Sequence, residues 1–295
     1  MTDFLIAVLV AGTPLVYVAM AGMLAQRTGV WNLGLEGLMV IGACASVVGT
    51  KMTDSVALGV LLAAAMCVVA SIFLWVAVEV LKANPIIAGL GLTGLGLGGT
   101  RLAVQTLYGS EAAVQVERGL PHLDPALGPF SALSIFAIFM PILVAALWVA
   151  TRRTRFGLRL AAVGEHPFAA RSVGASPARY RLVALVLGGI LCALGGAELA
   201  LGSLRFFSAN MTAGRGYMAF SAVIFGAANP IGVAAAALFF SAVEVTGVKA
   251  QLTLAGAIPQ NLILALPYIA TVFGLWLSGR TGRRTRVSLA ELRDY

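Results

Sequence analysis

The residues best able to do chemistry in this chain are few, and most sit in apolar surroundings. Four carboxylates, Glu36, Glu79, Glu198 and Glu244, lie inside or at the ends of long hydrophobic runs. An ionisable group in lipid is costly and normally faces protein or a water-filled path, so each is either a paired structural carboxylate or part of a route for substrate or protons. No two of them have a spacing that demands catalysis. The sequence lacks a G-x-x-x-x-G-K-[ST] loop, an H-E-x-x-H pair and a G-x-S-x-G elbow, and both histidines, His122 and His166, fall outside the apolar runs. ATP hydrolysis by this chain and an intramembrane hydrolase are therefore both poorly supported. Cys44, Cys67 and Cys192 lie within apolar runs and point to no disulfide framework or metal site.

Two stretches lead polar residues and glycines into short apolar helices: RTGVWNLGLEGLMVIGA at 27–43 and NMTAGRGYMAFSAVIFGA at 210–227. They point to two related halves with discontinuous helices near a pathway. Asn32, Glu36, Asn210 and Arg215 stand at these discontinuities and are the candidate pathway residues. The Asn210-Met211-Thr212 triplet fits a glycosylation sequon, a pattern common by chance.

The elements that must position these groups follow from composition. Of 295 residues, 60% are hydrophobic and 11% charged, with mean hydropathy +0.95; soluble domains run near half and a quarter. The expected fold is an all-α polytopic membrane protein, a single transmembrane domain over 1–295. Apolar runs of spanning length occupy about 4–24, 32–50, 55–80, 85–108, 131–150, 182–204, 230–248 and 261–278. The first lacks the basic start of a cleaved signal and is read as a mature span. Residues 216–228 are apolar but too short to span as a helix, and read as a half-helix between Gly214 and the Asn229-Pro230 break. Counted as a crossing, it gives nine passes.

The net charge of +8 is better explained by loop orientation than by nucleic acid. With the N-terminus outside and the basic tail 279–295 cytoplasmic, fourteen of the twenty Lys and Arg fall on the cytoplasmic side. Trp31, Trp75, Trp148 and Trp276 then lie toward cytoplasmic span ends, as interfacial rings should. The largest polar segment, 151–181, is cytoplasmic. It reads as a short helix from Pro167 to Val173 ended by Gly174, with a second turn or short helix from Ser176-Pro177. Residue chemistry leaves open whether this loop is a ledge for a partner or only a solvated basic loop. The glycines at 89, 91, 94, 96, 98 and 99 allow either close packing or an unwound helix, Gly188, Cys192 and Gly196 mark a helix contact, and Asn84-Pro85 marks a helix entrance.

The blocks GVWNLGLEGLMVIGA at 29–43, TRFGLRLAAVGEHPFAARSVGASPARYR at 154–181 and NMTAGRGYMAFSAVIFGAANPIGVAAAALFF at 210–240, with IPQNLILALPYIATVF at 258–273, resemble the permease subunits of bacterial ABC importers for nucleosides and simple sugars, related to branched-chain amino acid and ribose permeases. The resemblance implies an inner-membrane permease that moves nucleosides or related sugars and has no ATPase site of its own. ATP-Mg would bind a separate cytoplasmic ATPase, seated on a coupling segment formed by Gly164, Glu165, His166, Pro167, Arg171 and Gly174. It also implies a second, longer permease and an extracytoplasmic binding protein. The alternative is a stand-alone proton-coupled carrier using Glu198 or Glu244; a third class is a structural membrane protein with no pathway.

Overall fold

The computed structural model describes residues 2–109, 113–123 and 130–253. Two compact units are distinguished, Met1–Ala242 and Val243–Tyr295; of the second, only the end of one helix belongs to the described residues. The 258–273 block, the 261–278 span, Trp276 and the basic tail lie outside them.

Seven described helices have the length and apolarity to cross a membrane, and each coincides with a run anticipated from hydropathy. They are α1 (Thr2–Gln26), α2 (Leu35–Thr53), α3 (Val56–Trp75, extended by a π-helical turn Val76–Val80), α4 (Pro85–Tyr108), α5 (Ile135–Arg153), α8 (Pro177–Ala197, extended by a π-helical stretch Glu198–Leu204) and α10 (Pro230–Thr253). Between α5 and α8 lie α6 (Arg155–Glu165) and α7 (Pro167–Ser172), and between α8 and α10 lies α9 (Arg215–Phe225). Of the nine expected passes, the last is outside the described residues.

The core forms where α1, α2 and α8 meet, and small residues set how closely they approach. A Cβ at Gly42 would reach the Ala193 backbone, and one at Gly196 would strike Met39 O and the Ala43 amide. The expected Gly188–Cys192–Gly196 contact face is thus real, with Cys192 fully buried. The glycine-rich run is a continuous helix, α4. Gly89 and Gly96 press on the backbone of Gly34 and Gly37, while Gly91, Gly94, Gly98 and Gly99 meet nothing within 4 Å. Close packing explains two of the six, and no unwinding occurs. At the helix entrance expected at Asn84-Pro85, the Asn84 side chain caps α4 by accepting from the Ile86 amide at 2.9 Å.

The end of the bundle carrying α6 and α7 is called here the ledge end. At the far end, β1 (Ala113–Gln115) pairs antiparallel with β2 (Phe206–Ser208). This ribbon has no sequence signal, since each strand is three residues long and its partner lies some ninety positions away. It fixes the path of the chain after α8. From β2 the chain descends through turns at 210–214 into α9, whose end reaches the ledge end, where Ala228 O accepts from Arg27. Residues 206–228 therefore run from the ribbon to the ledge end as strand, turns and a half-helix of about 16 Å, the half-helix falling on the short apolar run.

Candidate functional site

The ledge begins with Thr154, which caps α6 by accepting from the Gly157 amide at 3.3 Å. Pro167 stands at the first position of α7, where its missing N–H costs little. The helix stops one residue earlier than expected, through a paired C-terminal motif: the Gly174 amide donates to Arg171 O at 3.0 Å and the Ala175 amide to Ala170 O at 2.9 Å, with Gly174 at φ +80°. The anticipated turn at Ser176-Pro177 proves to be the first turn of α8 itself. Sequence reading missed α6, although its apolar positions Leu160 and Val163 recur at helical spacing and are buried. Glu165, His166, Arg171 and Gly174 are exposed, and two apolar side chains stand beside them in the open, Phe168 81% and Val173 77% exposed. Four of the six anticipated coupling residues thus line one exposed edge, and Phe168 and Val173 are its unanticipated apolar part.

The inner side of the ledge rests on the connector between α1 and α2. Helix α1 ends in the same paired motif, with Gly29 at φ +81°, its amide on Gln26 O and the Val30 amide on Ala25 O. Gly164 lies against this turn so closely that a Cβ would collide with the Arg27 carbonyl. Arg181, at the start of α8, donates from Nε to Thr28 O at 3.2 Å and pairs with Glu79 Oε1 at 2.6 Å. Both side chains are largely buried. Glu79 is therefore a paired carboxylate, with Lys82 Nζ also 3.9 Å away. Trp75 Nε1 donates to Ala178 O at 2.9 Å, tying α3 to α8.

The connector then turns into the bundle, and its residues answer the question posed by the discontinuities. Asn32 is buried, and its Oδ1 accepts from the Gly34 amide at 2.9 Å, which organises its own turn. Trp31 packs edge-on against Phe220 of α9, ring centroids 5.9 Å apart. Glu36, 2% exposed, accepts three hydrogen bonds from the opposite discontinuity: Thr212 Oγ1 and the Gly214 amide on Oε1, the latter at 3.0 Å, and the Gly216 amide on Oε2 at 2.6 Å. The two stretches that looked alike in sequence are thus joined at one carboxylate. Asn210 is exposed at a left-handed turn, φ +63°.

Arg215 lines a cavity of about 520 Å³ between α1 and the π-helical end of α8. Its other walls include Ile6, Val10, Pro14 and Leu199, with Asp3 at the opposite end of the α1 face. Of the four anticipated pathway residues, Arg215 alone lines this cavity among the described residues. Near it, Glu198 is 1% exposed and receives the Ser134 hydroxyl on Oε1 at 2.6 Å, while no hydrogen bond to Oε2 is found among the described residues. Ser134 also caps α5 through the Ala137 amide. Glu244 lies on α10, half-buried.

Comparison with known proteins matches residues 4–275 to the family described as branched-chain amino acid transport system / permease component. The chain is 33% identical to a guanosine ABC transporter permease protein of Bacillus subtilis, over 94% of this chain and 91% of that one. It is 32% identical to a nucleoside ABC transporter permease protein of Lactococcus lactis, over 91% and 90% of the two chains. A putative glucose ABC transporter permease protein of Haloferax volcanii is 30% identical over 86% and 79%.

Proposed function

The chain belongs to the family of branched-chain amino acid transport system permease components, and from that premise we propose that it is the membrane permease of an ABC importer whose cargo is a nucleoside. The observation that carries the cargo assignment is the similarity, across nine-tenths of both chains, to permeases named for guanosine and for nucleosides. The chain itself does no covalent chemistry. A separate cytoplasmic ATPase binds ATP-Mg and seats on the edge from Gly164 to Gly174, with Phe168 and Val173 as its apolar anchors. Burying such side chains contributes about 1.5–3 kcal/mol each. A second, longer permease and an extracytoplasmic binding protein complete the complex, in the inner membrane with the ledge end cytoplasmic.

A nucleoside is neutral, with one flat apolar face and several hydroxyls. The cavity beside α1 offers apolar walls in Ile6, Val10 and Leu199 for the base, and Arg215 for hydrogen bonding to the sugar. Uptake of labelled guanosine by vesicles holding the copurified complex is the test. ATP-dependent uptake that survives collapse of the proton gradient supports the importer, whereas uptake that needs the gradient and not ATP establishes the carrier alternative. Substituting Glu165, His166 or Arg171 should leave hydrolysis running without uptake, and normal substrate-stimulated hydrolysis in all three contradicts the coupling assignment.

A further inference from the structure

The start of α9 and the turn that follows it are held by charges of opposite sign that come from one short stretch of chain. At its start the Glu36 carboxylate accepts the Gly214 and Gly216 amides at 3.0 and 2.6 Å. Beyond its end, Arg27 Nε donates to Ala228 O at 2.9 Å, in a turn where the Ala228 amide bonds back to Val223 O. A helix start presents unpaired N–H groups with partial positive charge, so the Glu36 carboxylate meets its complement there, while Arg27 holds a carbonyl of the turn that follows α9. Arg27 and Glu36 bracket the α1–α2 connector, and neither belongs to α9. Trp31, between them, packs on Phe220 in the middle of α9. The connector therefore grips the half-helix at its start and along its face, and holds the turn that follows it.

The same connector carries the ledge. Gly164 sits on the backbone of Arg27 and Gly29, and Arg181 holds Thr28 O. The second guanidinium arm of Arg27 donates to Thr151 O at 3.2 Å, where α5 runs into the ledge. A displacement of residues 164–174 is therefore felt directly by the connector, through Gly164.

We propose that residues 27–36 and α9 move as one lever, with Arg27 the positioning residue that passes ledge movement to the half-helix. The inference rests on the reading of the ledge as the ATPase seat and adds what the ledge moves. Helix α9 begins at Arg215, so the lever delivers the movement to the cavity wall.

The test uses the whole complex in vesicles, with Arg27→Gln and Arg27→Lys. Reporters Tyr217→Cys on α9 and Ala169→Cys on the ledge are labelled with a maleimide, with and without ATP and vanadate; the native cysteines are buried. In the otherwise unaltered complex ATP should change the labelling rate at both positions. In Arg27→Gln the change at 169 should persist and that at 217 should be lost, while ATP hydrolysis continues and guanosine uptake falls about tenfold, a size usual for coupling between sites. Arg27→Lys, able to reach one of the two carbonyls, should be intermediate, and it carries the test if Arg27→Gln does not assemble. An undiminished ATP response at 217 in Arg27→Gln, or in Arg27→Lys where that variant alone assembles, overturns the lever. Absence of any ATP response at both positions in the unaltered complex overturns the importer reading itself, which separates the two failures.

Discussion

Glu36 and Glu198 are the same side chain in nearly the same burial, 2% and 1% exposed, and each stands beside an irregularity in a helix. Their partners differ. Glu36 collects two backbone amides and a hydroxyl from a helix start brought in from far along the chain, whereas Glu198 has one hydroxyl, and among the described residues its Oε2 has no hydrogen-bond partner. A buried polar group left unpaired costs about 1–3 kcal/mol. Glu36 thus holds the fold of the 210–216 turns together, while Glu198 contributes little to holding α5 against α8. Burial alone would have ranked the two sites equally; the number and kind of donors separates them.

The widest separation is expected on truncation. Glu36→Ala strands three donors and should cost about 4 kcal/mol or more, and Glu198→Ala about 1 kcal/mol; thermal unfolding of the purified protein in detergent reads both, and equal losses would break the comparison. Close contact gives a smaller contrast. A Cβ at Gly216 would meet the Glu36 backbone, which has nowhere to go, whereas the nearest atoms to one at Gly202 belong to the Glu198 carboxyl, the far end of a flexible side chain. Gly216→Ala should cost about 2–3 kcal/mol and Gly202→Ala less than about 1 kcal/mol, measured the same way. A third pair sharpens the role of charge: Thr212→Val removes a hydrogen bond to a carboxylate and should cost about 2 kcal/mol, while Glu198→Gln keeps an acceptor for Ser134 and should stay within about 1 kcal/mol. A larger loss for Glu198→Gln than for Thr212→Val would reverse the assignment of which carboxylate holds the structure.

Much of the architecture was legible because lipid leaves few options: a backbone in hydrocarbon must satisfy its own hydrogen bonds, so apolar length translates into helices. The spans, the half-helix, the Asn84 cap and the Gly174 stop all follow local rules. Which of its two readings Glu79 takes was hidden because its partner, Arg181, is a hundred residues away in the chain. Helix α6 was hidden among arginines whose charge drew attention to topology. The ribbon β1–β2 and the π-helical ends of α3 and α8 depend on neighbours that no local pattern names.

At the candidate site the division is sharper. The sequence determined that Asn32, Glu36, Asn210 and Arg215 stand at breaks in apolar helices, since polar residues and glycines there cannot continue a lipid-facing helix. It also determined that a rigid, proline-started and glycine-ended helix interrupts the basic loop. Only the tertiary structure decided that Glu36 is turned onto the start of α9, that Asn32 serves its own turn, that Arg215 reaches the cavity, and that Arg27 joins the ledge to the half-helix. Periodicity and composition report how each segment meets its solvent, whereas a carboxylate takes whichever donors the fold brings within about 3 Å, and those donors lie some 180 residues further along the chain.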